Sequence, residues 1–279
     1  KLNAQSMCGT DEYDAFLKRT NSTYAAERQK MEQQIYSILK NKQNNPNARI
    51  AQNDCQQGIF TIPVVVHVIH KGEAIGTGFN ISDAQIQGAI QGMNERWRRM
   101  QGDGVDMEMQ FALAVRDTNN NATNGITRYD GRIFYQSGGV PPVTSYLFPI
   151  MDSSKAWNRN NYINIWVVDM ADPWGGISSI GYNFYLFMDY ASMIYNSSAL
   201  AHEMGHKFGL KHTFIDREIG SDSCPLNIDC LLDGDGVCDT PPHKQEDCIS
   251  TSCSTAGDLQ NSFKNYMSYC GNTTRFTLG

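Results

Sequence analysis

His202-Glu203-Met204-Gly205-His206-Lys207-Phe208-Gly209-Leu210-Lys211-His212 is the stretch on which the reading of this chain turns. Residues four apart on a helix share a face, so His202 and His206 present their imidazoles to one point. Paired imidazoles at that spacing bind zinc, and Glu203 lies beside them, within reach of solvent at the metal without being a ligand. Gly209 lets the chain leave the helix in a left-handed conformation, which brings His212 round as a third ligand. Three protein ligands leave one coordination position open, as a catalytic zinc site requires and a structural one does not. A bare His-Glu-x-x-His arises by chance in a chain this long at roughly the one-per-cent level. Adding Gly209 and His212 lowers that to about 10⁻⁵. The competing reading, a surface helix that happens to carry histidines, is the weaker one. The chain has six histidines, and three of them stand in this segment.

Around this helix, expected over residues 197–208, the pattern is α/β. Residues 60–69 form a β-branched run suited to a buried strand. Ser82 is placed to cap a helix over 83–100, with Ile86, Ala89, Ile90, Met93 and Trp97 at helical spacing. Residues 109–115 and 162–168 read as further strands, and 177–185 as a weaker one. Residues 1–55 differ in being rich in Gln, Asn, Lys and Glu. They hold one helical stretch (24–40) and then a polar linker over 41–53, a natural site for proteolytic nicking. The division expected is therefore a prosegment and linker at 1–55, an N-terminal catalytic part at 56–212 and a C-terminal part at 213–279.

Composition narrows the partners. A net charge of −6 over 279 residues argues against nucleic acid, which needs a basic face. No apolar run approaches the ~18 residues of a membrane span; the longest candidate, 62–69, contains Pro63 and His67. Of the eight cysteines, Cys224, Cys230, Cys238, Cys248, Cys253 and Cys270 crowd a loop-rich stretch. With no Cys-x-x-Cys pair among them they read as disulfides rather than a zinc cluster, which implies a secreted, extracellular or periplasmic location. Spacing alone leaves fifteen connectivities open for six cysteines. The opening Lys1-Leu2-Asn3 carries no apolar leader, which is expected to have been removed already.

Downstream stands Asn265-Tyr266-Met267-Ser268-Tyr269. Alone, Met267 and Tyr269 would be ordinary core residues. Together with the histidine motif they make the chain resemble the metzincin metallopeptidases, which carry a methionine-containing turn. Within these it is similar to the pappalysins, through Thr61-Ile62-Pro63-Val64-Val65-Val66-His67-Val68, Gly125-Ile126-Thr127-Arg128 and Gly236-Val237-Cys238-Asp239-Thr240-Pro241-Pro242. The likeness covers residues 60–278. It implies a twisted mixed five-stranded sheet, an active-site helix and an irregular disulfide-rich lobe. It also implies zinc-dependent endopeptidase activity on protein or peptide substrates, with Met267 as a hydrophobic base under the metal and Tyr269 donating to the tetrahedral intermediate. The family's pattern pairs Cys224 with Cys253 and Cys248 with Cys270, leaving Cys230 with Cys238. Calcium is implied as well, on Asp233, Asp235 and Asp239 with carbonyls near Val237 and Thr240; the alternative is a solvated acidic turn.

Cys8, in Met7-Cys8-Gly9-Thr10, lies far from the other cysteines, and relatives carry a Cys-Gly-Thr element in their prosegments. A thiolate there would fill the open zinc position and hold the enzyme latent until the linker is cut, near Arg49. The alternative is a Cys8–Cys55 disulfide. In the active form Glu203 is expected to move the proton from water to the leaving amine, with substrate extended along an edge strand near 177–182. A monomer inhibited by its own prosegment is expected; the rival is a catalytically inactive metzincin-fold binding protein.

Overall fold

The computed structural model describes residues 7–45, 58–132, 155–170, 174–181, 186–214, 224–253 and 257–277. Its centre is strand β2 (Phe60–His70), the β-branched run, in which Val64, Val65, Val66, Val68 and Ile69 are buried. One edge of β2 pairs in parallel with β5 (Ile163–Val168). Its other edge is shared end to end by β3 (Met109–Leu113) and β4 (Ile126–Asp130), both parallel to it. Beyond β5 lie β7 (Leu186–Asp189), parallel, and β6 (Trp174–Ser178), antiparallel to β7. Among the described residues the sheet is mixed, and it has seven strands rather than five. The two extra strands have distinct origins: β3 and β4 fill one lane in succession, and the two-residue β1 (Met7–Cys8) is added by the prosegment along β6.

Helix α3 (Asp83–Trp97) starts as expected at Ser82, whose hydroxyl accepts from Gln85 N at 3.1 Å. It stops three residues short of the expected end, because Arg99 turns left-handed at φ 53°. Its Ile86, Ala89, Ile90, Met93 and Trp97 pack with the sheet and with Leu200, Ala201 and Met204 of α4 (Ala199–Lys207). The expected strand over 177–185 is replaced by β6 and β7. Gly175 and Gly176 hide β6 from any side-chain periodicity, and residues 182–185 lie outside the described residues.

The described part of the prosegment holds two helices, α1 (Thr10–Thr20) and α2 (Ser22–Asn44), instead of the single one expected over 24–40. Asn21 divides them: its backbone is extended, and its side chain accepts from Tyr24 N at 3.0 Å to cap α2. Helix α2 continues into the expected linker, since Lys42 and Gln43 are good helix formers. Tyr13, Leu17 and Tyr24 are buried in a second core with Ile69, Trp166, Val168, Ile177 and Phe187. Asp14 ties the hairpin together by accepting from the Tyr24 hydroxyl and pairing with Lys18 at 2.8 Å and Arg28 at 3.3 Å.

Among its described residues, the C-terminal lobe is irregular apart from α5 (Gln260–Phe263). The disulfides Cys224–Cys253, Cys230–Cys238 and Cys248–Cys270 staple it. No described helix is long and apolar enough to cross a membrane.

One buried histidine makes the fold acid-sensitive. His67 donates from Nε2 to Asn164 Oδ1 at 2.8 Å, accepts from the Thr127 hydroxyl at 2.6 Å and stacks on Trp166. Burial lowers its pKa from 6.5 to about 4, against a smaller opposing pull from Asn164. A depressed folded pKa gives stability that is present above the unfolded value and lost as pH falls through the folded one. At 1.36 kcal/mol per unit, about 3 kcal/mol of stability should disappear between pH ~6.5 and ~4. Denaturant melts of wild type and His67→Gln over that range measure it; equal pH slopes would remove His67 as the cause.

Candidate active site

Helix α4 is buried along its whole length, so its histidines face protein rather than solvent. Gly205 is required there by proximity. A Cβ at that position would lie 2.4 Å from Met267 Sδ, so the methionine turn packs directly under the helix. Gly209 then turns left-handed at φ 93°, and His212 swings back toward the helix. The Nε2 atoms of His202, His206 and His212 converge to 3.1–3.2 Å of one another.

The outward nitrogens explain this convergence. Nδ1 of His202 donates to Tyr266 O at 2.6 Å and that of His206 to Leu210 O at 2.7 Å. Carbonyls only accept, so Nδ1 carries the proton and the Nε2 lone pair points inward. Burial, with neighbouring imidazoles opposing charge, holds His202 down at about 3 and His206 well below the ordinary histidine value. Inward-facing lone pairs this close repel unless a cation lies between them. A tetrahedral centre with metal–nitrogen bonds of ~2.0 Å places its nitrogens ~3.3 Å apart, which these residues match. The fourth donor is Cys8, buried and not disulfide-bonded, with Sγ 3.5 Å from His206 Nε2. Burial and then the Glu203 carboxylate push its thiol up, and a cation opposite would reverse both effects. Among the described residues, Cys8, His202, His206 and His212 are the group of His, Cys, Asp and Glu side chains able to hold a metal ion, their donor atoms lying within 4.8 Å of one another. Cys55 and Arg49 lie outside the described residues.

Glu203 is 1% exposed and burial pushes its carboxyl up to about 8. It lies under β6, where a Cβ at Gly176 would stand 2.5 Å from its Cγ. The strand closest to Glu203 is thus the one onto which β1 adds, Gly9 N donating to Gly176 O at 3.2 Å. The edge expected near 177–182 is displaced toward the chain's N-terminus, to 174–178. Tyr269 donates its hydroxyl to Cys8 O at 2.7 Å and sits edge-on to His212.

Two site residues are not apparent from sequence. Thr10 donates its hydroxyl to Glu203 Oε2 at 3.3 Å and accepts from Ser178 N at 2.9 Å. Asp11 Oδ2 accepts from His212 Nδ1 at 2.7 Å. Both directly follow the Cys-Gly pair; the anion beside a cysteine meant for a histidine site was the signal available.

The aspartates of the expected calcium loop accept hydrogen bonds within the C-terminal lobe. Asp233 accepts from the amides of Ile228 and Asp229, Asp235 from Val237 N and the Thr240 hydroxyl, and Asp239 from the Thr277 hydroxyl.

Comparison with known proteins gives concordant results. The family model described as Pregnancy-associated plasma protein-A matches residues 151–279. An extracellular metalloprotease of Arthroderma otae is 28% identical over 229 residues, 78% of this chain and 73% of the relative. One of Colletotrichum graminicola is 27% identical over 259 residues, 85% of this chain and 79% of the relative. Among solved structures, Tannerella forsythia mature mirolysin in complex with a cleaved peptide superposes with a TM-score of 0.53 at 27% identity, covering 79% of this chain and 84% of that one. A Tannerella forsythia promirolysin mutant superposes with a TM-score of 0.56 over 97% of this chain and 87% of that one; at 24% identity it speaks to the fold.

Proposed function

We propose that the chain is a pappalysin-type metalloendopeptidase, the latent precursor of a secreted zinc endopeptidase that its prosegment, residues 1–55, holds inactive. The observation that carries this reading is the convergence of Cys8 with three inward-facing imidazoles in one buried cluster. His202, His206 and His212 would hold the zinc, with Cys8 closing the fourth position. When bound, zinc supplies Lewis acidity toward the scissile carbonyl and toward solvent.

The remaining chemistry belongs to this chain's side chains. Glu203, buried beside the histidines without being one of the converging ligands, takes the proton of the attacking water and delivers it to the leaving amine. Tyr269 donates to the developing oxyanion once Cys8 O no longer occupies its hydroxyl. The β6 edge pairs with the substrate backbone where β1 now lies. In the latent form the prosegment engages each of these elements: Thr10 on Glu203, Cys8 on Tyr269 and the histidines, β1 on β6.

Secretion is supported by the extracellular relatives and by three disulfides. A calcium ion at 233–240 is a lesser part of the proposal. Its support is the spacing of Asp233, Asp235 and Asp239 on one short loop, with oxygen donors at Val237 and Thr240 between and beside them.

Zinc analysis combined with casein cleavage tests the whole. One zinc per chain is expected, with no cleavage by the intact chain. Cleavage sensitive to 1,10-phenanthroline should appear after the linker is cut and the prosegment removed. A zinc-loaded chain still silent after removal would favour an inactive binding protein of the same fold.

A further inference from the structure

The three imidazoles at the centre are not held alike. His202 and His206 donate from Nδ1 to Tyr266 O and Leu210 O, carbonyls outside the prosegment that cutting the linker leaves in place. His212 donates to Asp11 Oδ2 at 2.7 Å, and Asp11 belongs to the first turn of α1 in the prosegment. Phe214 stacks on His212, its ring centroid 4.8 Å away and the planes 8° apart. Stacking fixes the plane of the ring but leaves it free to turn within that plane. The Asp11 contact sets that rotation and so aims Nε2. The other carboxylate oxygen, Oδ1, is buried without a hydrogen-bond partner, so His212 is the group that Asp11 is directed at.

We propose that Asp11 is a positioning residue of the latent metal centre, borrowed from the prosegment to aim His212. The proposal rests on the zinc reading above. It extends that reading in one respect: activation removes two groups from the centre, the Cys8 ligand and the acceptor that orients the third histidine. The prosegment thus supplies one ligand outright and fixes the aim of another. The latent chain therefore retains its metal more firmly than loss of Cys8 alone would account for. In addition to blocking the enzyme, the prosegment keeps the metal in place until activation.

The test uses the uncut, zinc-loaded chain, mixed with excess EDTA, and follows zinc release. Asp11→Leu, which keeps the branched skeleton and removes the acceptor, should release zinc about tenfold faster or more. Asp11→Asn retains an acceptor oxygen and should stay within about threefold of wild type, an ordering that simple loss of packing would not give. Melting of the zinc-free proteins checks that the prosegment remains docked; if Asp11→Leu does not fold, Asp11→Ala carries the same expectation. Zinc release from a folded acceptor-free variant at the wild-type rate overturns the role of Asp11. A wild-type chain that takes up no zinc overturns the zinc reading instead, and the two failures are distinct.

Discussion

Glu203→Gln is expected to cut peptide hydrolysis by the processed enzyme about 10³-fold while leaving its zinc content unchanged. The separation of the two effects follows from the geometry. Glu203 is buried beside the cluster, yet the groups that converge as ligands are Cys8 and three histidines. Glutamine has the same shape, so it fits beneath Gly176 where the carboxylate now sits and leaves β6 undisturbed. It cannot take a proton from water. Measured kcat against zinc per chain decides the matter. A variant within tenfold of wild type would remove Glu203 as the base, and one that loses zinc would recast it as a structural support of the metal.

Cys8→Ser in the uncut chain should produce the opposite change, an appearance of activity without processing. Exchanging a thiolate ligand for a hydroxyl at a cost of about 3 kcal/mol would raise the open fraction roughly 10²-fold. The gain should stop short of full activity, because the remaining grip is independent of sulfur. Gly9 still pairs with Gly176, Thr10 with Glu203 and Ser178, and Asp11 with His212. Cleavage of a fluorogenic peptide by uncut Cys8→Ser, beside the processed wild type, gives the comparison. A variant as silent as the uncut wild type would mean that these other contacts suffice for latency.

What was legible in the sequence were features whose signal is local. The histidine spacing, the Gly209 turn and the Ser82 cap each operate within one helical turn, and the structure has all three. The β2 run was legible because it is buried on both faces and therefore continuously apolar. Strands β4 and β6 were not. In β4, Thr127, Arg128 and Tyr129 are held by register against β2, and β6 contains two glycines. The glycine at 176 answers to Glu203, a residue 27 positions further on, and no window of sequence displays such a demand. The prosegment was half legible. Cys8 stood out by chemistry, whereas Thr10 and Asp11 gain their roles only when α1 is laid across the histidines.

The hairpin of α1 and α2 bears on when inhibition ends. Tyr13, Leu17 and Tyr24 are all but fully buried against the sheet, and each such side chain contributes about 1.5–3 kcal/mol. None of that attachment runs through the polypeptide connection to β2. A single cut therefore converts a tethered inhibitor into a bound one and leaves the mouth of the enzyme as full as before. Release of the bound hairpin, and not the cut that precedes it, then becomes the event that starts the clock.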